Sequence, residues 1–302
     1  MPQATGERFR HDDAPPVGKL YDLGSGRRLM LHHAGSGTPT VVFEGGAGAF
    51  GLDYFTIFDL VARRTTAVLY DRADRGWSDP ASGIHGAAEI AADLREGLRV
   101  AGIAGPFLLV GHSLGGLLVR VFAQHFPDAV AGLVLIDPSS EGIPMASPGD
   151  EAIVRDMIEQ LRANPNLWRE WYPEMFTDWE KLPEHIREPL IARHMEPPYD
   201  EAGLHDMVSG ASILDAITNG PALPDVPVTV LTGMKIDPSP GRSDADMAAF
   251  NQIKLDAYRA LVNALPRGEH RVFADVGHRL TAERPDLVVA AIFDILDRAG
   301  NH

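Results

Sequence analysis

Residues 107–116 read Phe-Leu-Leu-Val-Gly-His-Ser-Leu-Gly-Gly, the most specific fold signal in the chain. An apolar run typical of a buried strand leads into Gly-x-Ser-x-Gly, and a helical pattern over Leu114–Phe126 follows. This arrangement predicts a sharp, strained turn that lifts the Ser113 hydroxyl above a sheet. Gly111 and Gly115 are needed because Cβ atoms there would collide where strand and helix pack closely. We predict that Ser113 is a nucleophile at a helix N-terminus, where free N–H groups favour negative charge. The alternative is a tight turn whose serine only caps the helix.

The composition is that of an ordinary globular enzyme and excludes several classes of function. The chain has 302 residues, of which 45% are apolar and 23% charged. A net charge of −15 argues against nucleic acid and anionic lipid as partners. The absence of cysteine excludes disulfides and thiolate chemistry and fits a cytoplasmic location. The polar N-terminus predicts no signal peptide, and the apolar runs are too short to span a membrane. Nothing in the sequence predicts the oligomeric state.

Strand and helix patterns alternate along most of the chain. They predict a doubly wound α/β fold, with a mostly parallel sheet covered on both faces by helices. The alternation stops over residues 139–224, where no strand pattern occurs. We interpret this segment as a helical cap or lid inserted into a core domain formed by residues 1–138 and 225–302. Trp168, Trp171 and Met175 are candidates for a substrate-pocket wall, although their helical spacing equally suits a core face.

A base and an acid are needed near Ser113, because a serine hydroxyl is a poor nucleophile at neutral pH. In the chain order Ser–Asp–His, the acid follows a later strand and the histidine a still later one. Asp237 and His278 fill these places, and catalytic groups gather at the carboxyl ends of parallel strands. We therefore predict a catalytic triad of Ser113, Asp237 and His278. Asp137, one strand earlier and also before a proline, is the competing acid. His112 should point away from the serine and serve in packing.

Acyl transfer also needs N–H donors aimed at the developing oxyanion. One should be the backbone N–H of Leu114, the residue after the nucleophile. The other should come from the glycine loop that follows the strand Thr40–Phe43, because a side chain there would block the substrate oxygen. We predict that the Gly46 N–H is this donor, with Ala47 as the alternative.

The same loop fits a second motif. Residues 46–51 read Gly-Ala-Gly-Ala-Phe-Gly, which matches G-x-G-x-x-G, and Asp71 follows at a distance suited to a ribose contact. A dinucleotide-binding protein is thus an alternative, but a predicted hairpin precedes the motif, and the serine, aspartate and histidine would stay unexplained. No H-E-x-x-H, paired-carboxylate or phosphate-loop pattern occurs, so we expect neither a cofactor nor a metal.

From about Gly18 onward the chain resembles the α/β-hydrolase fold superfamily. The resemblance implies an eight-stranded sheet, a cap after the sixth strand and the triad named above. Serine as nucleophile disfavours the haloalkane dehalogenase and epoxide hydrolase branches, which resemble this fold but use aspartate there. The motifs that carry the resemblance are Val41-Val42-Phe43-Glu44-Gly45-Gly46, Tyr70-Asp71-Arg72 with Gly76-Trp77-Ser78-Asp79, Gly111-His112-Ser113-Leu114-Gly115-Gly116, Leu133-Val134-Leu135-Ile136-Asp137 and Gly277-His278.

Glu44 departs from the pattern, because relatives usually place histidine before the oxyanion glycines. A carboxylate there would oppose an oxyanion unless it is neutral or paired. We expect Glu44 to bond to the loop backbone or to an arginine such as Arg72, and to point away from the oxyanion. Turnover should then be unchanged in Glu44→Gln.

The sequence indicates a serine hydrolase that cleaves a small-to-medium, largely apolar carboxylic ester through an acyl-enzyme. The substrate would be a small molecule, with no nucleic-acid or membrane partner. A carbon–carbon bond hydrolase, lactonase, amidase, peptidase or acyltransferase on the same triad is an alternative. A ligand receptor that kept the fold without turnover is another. Fold does not decide among them.

Overall fold

The computed structural model describes residues 14–24, 26–81, 86–145, 177–195, 199–236 and 243–299, with single positions between 152 and 167. The side chains of residues 199–205 and 207 are outside this description. All structural statements below refer to these residues.

Eight strands form one sheet in the order β1-β2-β4-β3-β5-β6-β7-β8. The first two form a hairpin, and β2 also runs antiparallel to β4, whereas every later neighbour is parallel. The predicted doubly wound, mostly parallel eight-stranded sheet is thus confirmed. The strands are β1 (Lys19–Asp22), β2 (Arg28–Ala34), β3 (Thr40–Glu44), β4 (Ala67–Tyr70), β5 (Phe107–His112), β6 (Val130–Ile136), β7 (Val228–Gly233) and β8 (Gly268–Phe273).

Helices cover both faces of this sheet. Side chains of α1 and α8 pack against one face and those of α2, α3 and α6 against the other. The described helices are α1 (Phe55–Ala62), α2 (Ala87–Val100), α3 (Leu114–His125), α4 (Glu184–His194), α5 (Tyr199–Asn219), α6 (Asp244–Asn263), α7 (Leu280–Glu283) and α8 (Pro285–Ala299). None of these described helices combines the length and apolar character that crossing a membrane requires.

The central strands are apolar throughout because both of their faces are buried. In β3, Val41 and Phe43 join the core on the α1 side, while Val42 between them joins the core on the α2 side. Successive side chains of a strand point to opposite faces, so a strand covered on both sides must be apolar at every position. This is why the strand signals of the sequence are runs rather than alternations.

Helix α3 is buried on all sides, since every residue from Leu114 to Gln124 is buried. One side faces the sheet, and α5, from the segment between β6 and β7, covers another through Ile213 and Ile217. The Gln124 side-chain amide donates to the Ile217 and Pro221 carbonyls at 3.0 and 2.6 Å. Helix α5 therefore lies directly over the helix that follows the predicted nucleophile.

Candidate active site

Ser113 occupies the strained turn that the sequence predicts. Its φ of 54° and ψ of −120° lie outside the regions that L-residues normally adopt. Its N–H donates to the Ile136 carbonyl at 3.0 Å, and its carbonyl accepts from the Ser139 N–H at 2.9 Å. These bonds tie the turn to the end of β6, so the neighbouring strand holds the strained conformation in place.

Gly111 and Gly115 allow β5, α3 and the glycine loop after β3 to pack in direct contact. A Cβ at Gly111 would lie 2.4 Å from the Gly115 carbonyl oxygen, and a Cβ at Gly115 would lie 2.4 Å from that of Glu44. Neither distance is compatible with a side chain. The glycine loop after β3 is therefore packed directly on the N-terminus of α3, next to Ser113.

The histidine and a carboxylate meet at the same sheet edge. His278 Nδ1 lies 2.6 Å from Asp137 Oδ2. Asp137 follows β6 with φ of 40°, and it also accepts from Lys254 Nζ at 2.8 and 3.0 Å and from the Gly233 N–H at 3.3 Å. Burial alone would raise the pKa of Asp137, but the bonds and charges of His278 and Lys254 hold it below its usual range. The carboxylate is thus kept ionised beside the imidazole.

His278 Nδ1 is therefore bonded to Asp137, the competing candidate, and the predicted acid Asp237 stays a prediction. Asp237 lies outside the described residues. Both aspartates follow a strand and precede a proline, so local sequence does not separate them. The signal that could have favoured Asp137 is Lys254, which falls at helical spacing on the face that carries Phe250, Tyr258 and Leu261, because a buried ammonium needs a buried acid.

His112 links the glycine loop to the histidine-bearing loop. Its Nε2 lies 2.9 Å from the His278 backbone carbonyl, which can only accept, so Nε2 carries the proton. Its Nδ1 then accepts from the Tyr54 hydroxyl at 3.0 Å. Loss of solvent around the ring, together with the neighbouring His278, lowers the pKa of His112 to about 3. His112 is thus a neutral spacer between two loops, in keeping with the packing role expected from the sequence.

The N–H of Gly46 is already used in this network. It donates to the Tyr54 hydroxyl at 3.0 Å. The carbonyls of Gly45 and Gly46 both accept from the Arg72 guanidinium, at 2.8 and 2.9 Å. In a trans peptide, the N–H of the next residue points opposite to the carbonyl. The Ala47 N–H therefore points away from Arg72, and Ala47 lines the cavity that contains Ser113. The geometry thus favours Ala47, the alternative donor, over Gly46.

Glu44 is paired with Arg72, as expected from the sequence. Arg72 Nη1 donates to Glu44 Oε1 at 2.5 Å, and its Nη2 donates to Asp206 of α5 at 2.7 Å. Asp206 also accepts from Arg75 at 2.8 Å and from the Gly48 N–H at 3.2 Å. Burial alone would raise the pKa of Asp206, but the charges of Arg75 and Arg72 hold it below its usual range. Two acids and two arginines thus form a buried cluster beneath the glycine loop.

A cavity of about 450 Å³ joins these groups, and Ser113, Asp137, His278 and Ala47 all contribute to its wall. Asp206, Lys235 and Lys254 add charge to the wall, whereas Glu44 does not contribute to it. The rest is largely apolar and includes Leu114, Ile143, Met145, Met247 and Phe250.

The comparisons with known proteins agree with this architecture. A sequence model described as the alpha/beta hydrolase family matches residues 29–291. The chain belongs to this family. A 151-residue stretch is 31% identical to "Probable transporter efuK" of Hormonema carpetanum, over 47% of this chain and 21% of that protein. The chain spans less than half the length of the curated relatives it matches.

Solved structures share the fold of this alpha/beta hydrolase. A thermophilic esterase from Thermogutta terrifontis matches with a TM-score of 0.61 and 22% identity, over 90% of this chain and 94% of that chain. The epoxide hydrolase CorEH matches with a TM-score of 0.66 and 18% identity, over 91% and 96%. At these identities the likeness establishes the fold and not the reaction.

The predicted pocket residues Trp168, Trp171 and Met175 lie outside the described part of the hydrolase. Trp179 is described and does not line the cavity. Its indole N–H donates to Asp53 at 2.9 Å, which ties the segment between β6 and β7 to the residues before α1. Within the described residues, no group of three His, Asp or Glu side chains could hold a metal ion.

Proposed function

We propose that this alpha/beta hydrolase is a serine hydrolase that cleaves small-to-medium, largely apolar carboxylic esters. The observation that carries the proposal is the 2.6 Å contact between His278 Nδ1 and Asp137. It lies in the same cavity as Ser113, whose backbone has the strained nucleophile conformation. An oriented imidazole beside a presented serine is the arrangement that activates a hydroxyl for acyl transfer.

In the proposed reaction, Ser113 Oγ attacks the ester carbonyl and its proton passes to His278 Nε2. Asp137 accepts from Nδ1, which fixes the tautomer with a free Nε2 and stabilises the imidazolium that forms. The imidazolium then protonates the departing alkoxide as the C–O bond breaks, leaving an acyl-serine. Water, deprotonated by the same imidazole, adds to the acyl carbonyl and releases the acid and the serine.

The N–H groups of Ala47 and Leu114 are the proposed donors to the oxyanion of both tetrahedral intermediates. Leu114 is the first residue of α3, so the helix dipole adds to its N–H. The bonds from Arg72 to the carbonyls of Gly45 and Gly46 hold the glycine loop in place before substrate arrives. A donor that needs no reorientation is more effective in stabilising the transition state.

The cavity supports an apolar substrate of limited size. Its volume of about 450 Å³ is at the lower end of the range of small-molecule sites, and aliphatic and aromatic side chains form most of its wall. We therefore expect a preference for butanoyl and hexanoyl esters over acetyl esters, which leave apolar wall unfilled, and over palmitoyl esters, which exceed the volume.

The decisive experiment is the intact mass of the protein after exposure to a fluorophosphonate probe, for wild type and Ser113→Ala, followed by hydrolysis of a series of 4-nitrophenyl esters. A single adduct on wild type alone, with turnover lost in Ser113→Ala at an unchanged melting temperature, supports the proposal. Ser139→Ala is the matched control, because Ser139 also lines the cavity but lies outside the strained turn.

An adduct that persists in Ser113→Ala, or ester turnover that survives the substitution, would refute the assignment of the nucleophile. Tight binding of an ester without product would instead favour a receptor that kept the fold.

A further inference from the structure

One face of helix α6 forms hydrogen bonds to the backbone just after strands β6 and β7. Asn251 Nδ2 donates to the Met234 carbonyl at 2.8 Å, just after β7. The Tyr258 hydroxyl donates to the Pro138 carbonyl at 2.6 Å, just after β6. Between them on this face, Lys254 is only 6% exposed, and a buried lysine is rare unless it is paired. This face therefore fixes both strand ends that flank the acid.

Lys254 uses all three of its N–H groups at this place. They are directed to Asp137 Oδ1 at 3.0 Å, Asp137 Oδ2 at 2.8 Å and the Gly233 carbonyl at 3.0 Å. Oδ2 is the same oxygen that lies 2.6 Å from His278 Nδ1. The acid of the proposed triad is thus shared between an imidazole and an ammonium.

Because Asp137 is shared, Lys254 changes the net charge next to the His278 ring. With Lys254 in place, the ion pair of Asp137 and Lys254 is neutral, so a proton added to His278 leaves a net positive cluster. Without Lys254, the same proton would neutralise a lone buried carboxylate. A positive charge this close opposes protonation of the ring. Lys254 therefore shifts the resting site toward the neutral imidazole that can accept a proton.

We propose that Lys254 is a positioning residue that acts through the Asp137 carboxylate to keep His278 in its proton-accepting form at acidic pH. The inference rests on the proposed serine hydrolase function. It predicts that the enzyme retains activity at a lower pH than the same triad would without the lysine.

Among the described neighbours of His278, the titratable His112 and the charged Lys235 do not produce this effect. His112 contacts the ring with centroids 4.7 Å apart, but its pKa of about 3 keeps it neutral over the relevant range. Lys235 also lines the cavity, and its ammonium pairs with Glu283 at 3.0 Å. Lys254 is the cation that shares the oxygen bonded to the imidazole.

The test is the pH dependence of kcat/KM for a 4-nitrophenyl ester in wild type, Lys254→Met and Lys254→Gln. Both substitutions remove the charge, and glutamine keeps a hydrogen-bond donor should methionine fail to fold. We expect the acid limb to move to higher pH by about one pH unit in each, so that activity below the limb falls about tenfold. Lys254→Arg keeps the charge and should leave the limb near its wild-type position.

Tyr258→Phe is the structural control. It removes a hydrogen bond from the same face of α6 without changing any charge, so it should lower the melting temperature and leave the midpoint of the acid limb in place. An unmoved limb in both neutral Lys254 variants, with a melting temperature lowered as in Tyr258→Phe, would overturn the proposal and leave Lys254 a purely structural role.

If the proposed function is wrong, the wild-type protein forms no adduct at Ser113 with the fluorophosphonate probe. In that case the imidazole signals of His278, followed by NMR against pH in wild type and Lys254→Met, test the inference without turnover. Their midpoint should lie at higher pH in the variant, and coincident midpoints would contradict the proposed role of Lys254.

Discussion

The substitution Asp137→Asn tests which of the two candidate acids, Asp137 or Asp237, orients His278. The carboxylate accepts from His278 on one side and from Lys254 on the other, whereas a carboxamide offers a single oxygen. If that oxygen stays with the ammonium, the amide N–H₂ faces His278 Nδ1 and donates to it. The proton of the neutral ring then sits on Nε2, which can no longer accept from Ser113.

The size of the effect follows from this change of tautomer. Loss of the correct tautomer in a serine–histidine–aspartate triad lowers kcat by about 10³–10⁴, or roughly 4–5.5 kcal/mol of transition-state stabilisation. KM should change little, because Asp137 does not need to touch the substrate. Stability should fall as well, since a buried ammonium left without its carboxylate costs about 3–5 kcal/mol.

The assay is kcat and KM on a 4-nitrophenyl butanoate series, well below the melting temperature of each variant, with unfolding followed by calorimetry. Asp237→Asn is the paired comparison; if Asp137 is the acid that orients His278, kcat of Asp237→Asn should stay within about twofold of wild type, a change of under about 0.5 kcal/mol. A loss of three decades in Asp237→Asn, with activity retained in Asp137→Asn, would refute the reasoning and reduce Asp137 to a partner of Lys254.

Three further predictions concern the groups behind the site. Tyr54→Phe removes the partner of the Gly46 N–H and should lower the free energy of unfolding by about 1–3 kcal/mol in urea titrations; no loss would mean that water replaces the hydroxyl. Asp206→Asn leaves a buried excess of positive charge beside Arg72 and should cost about 3–5 kcal/mol in the same assay, whereas a cost below about 1 kcal/mol would show that the cluster is hydrated. The folded-state pKa of His112 is depressed to about 3, so its contribution to stability is complete above the unfolded value near pH 6.5 and is lost as pH falls toward 3. The unfolding free energy should therefore decline by up to about 1.4 kcal/mol per pH unit in that window, and His112→Asn should lack this part of the slope.

Most of the fold could be predicted from local patterns. The sequence predicts the helix after Ser113 over Leu114–Phe126, and it is observed over Leu114–His125, because glycines and an apolar run mark both sides of the turn. Strand β8 (Gly268–Phe273) is harder to predict. Its first residues are polar, since β8 is the last strand of the sheet, and a pattern based on burial misses strands that are open to solvent.

The site could be predicted only in part, because its details depend on contacts between distant residues. The serine and histidine follow from motifs, but the choice of acid depends on which strand end lies under the imidazole. The choice of Ala47 over Gly46 likewise depends on Arg72, which turns two carbonyls of the glycine loop from a position 26 residues away. Neither the acid that contacts His278 nor the orientation of the glycine-loop carbonyls can be predicted from the local sequence.

The contacts of Asp206 limit how the segment between β6 and β7 can be replaced. The segment between β6 and β7 lines the cavity through Ile143, Met145 and Gly210. It also supplies the acid that pairs with Arg72 and Arg75 and accepts from the Gly48 N–H. A replacement segment, whether evolved or engineered, can vary in length and in its apolar lining, but it must return one carboxylate to this point. A chimera whose new segment lacks this carboxylate would leave Arg72, Arg75 and the Gly48 N–H without their acceptor. We expect the glycine loop of such a chimera to be held less firmly.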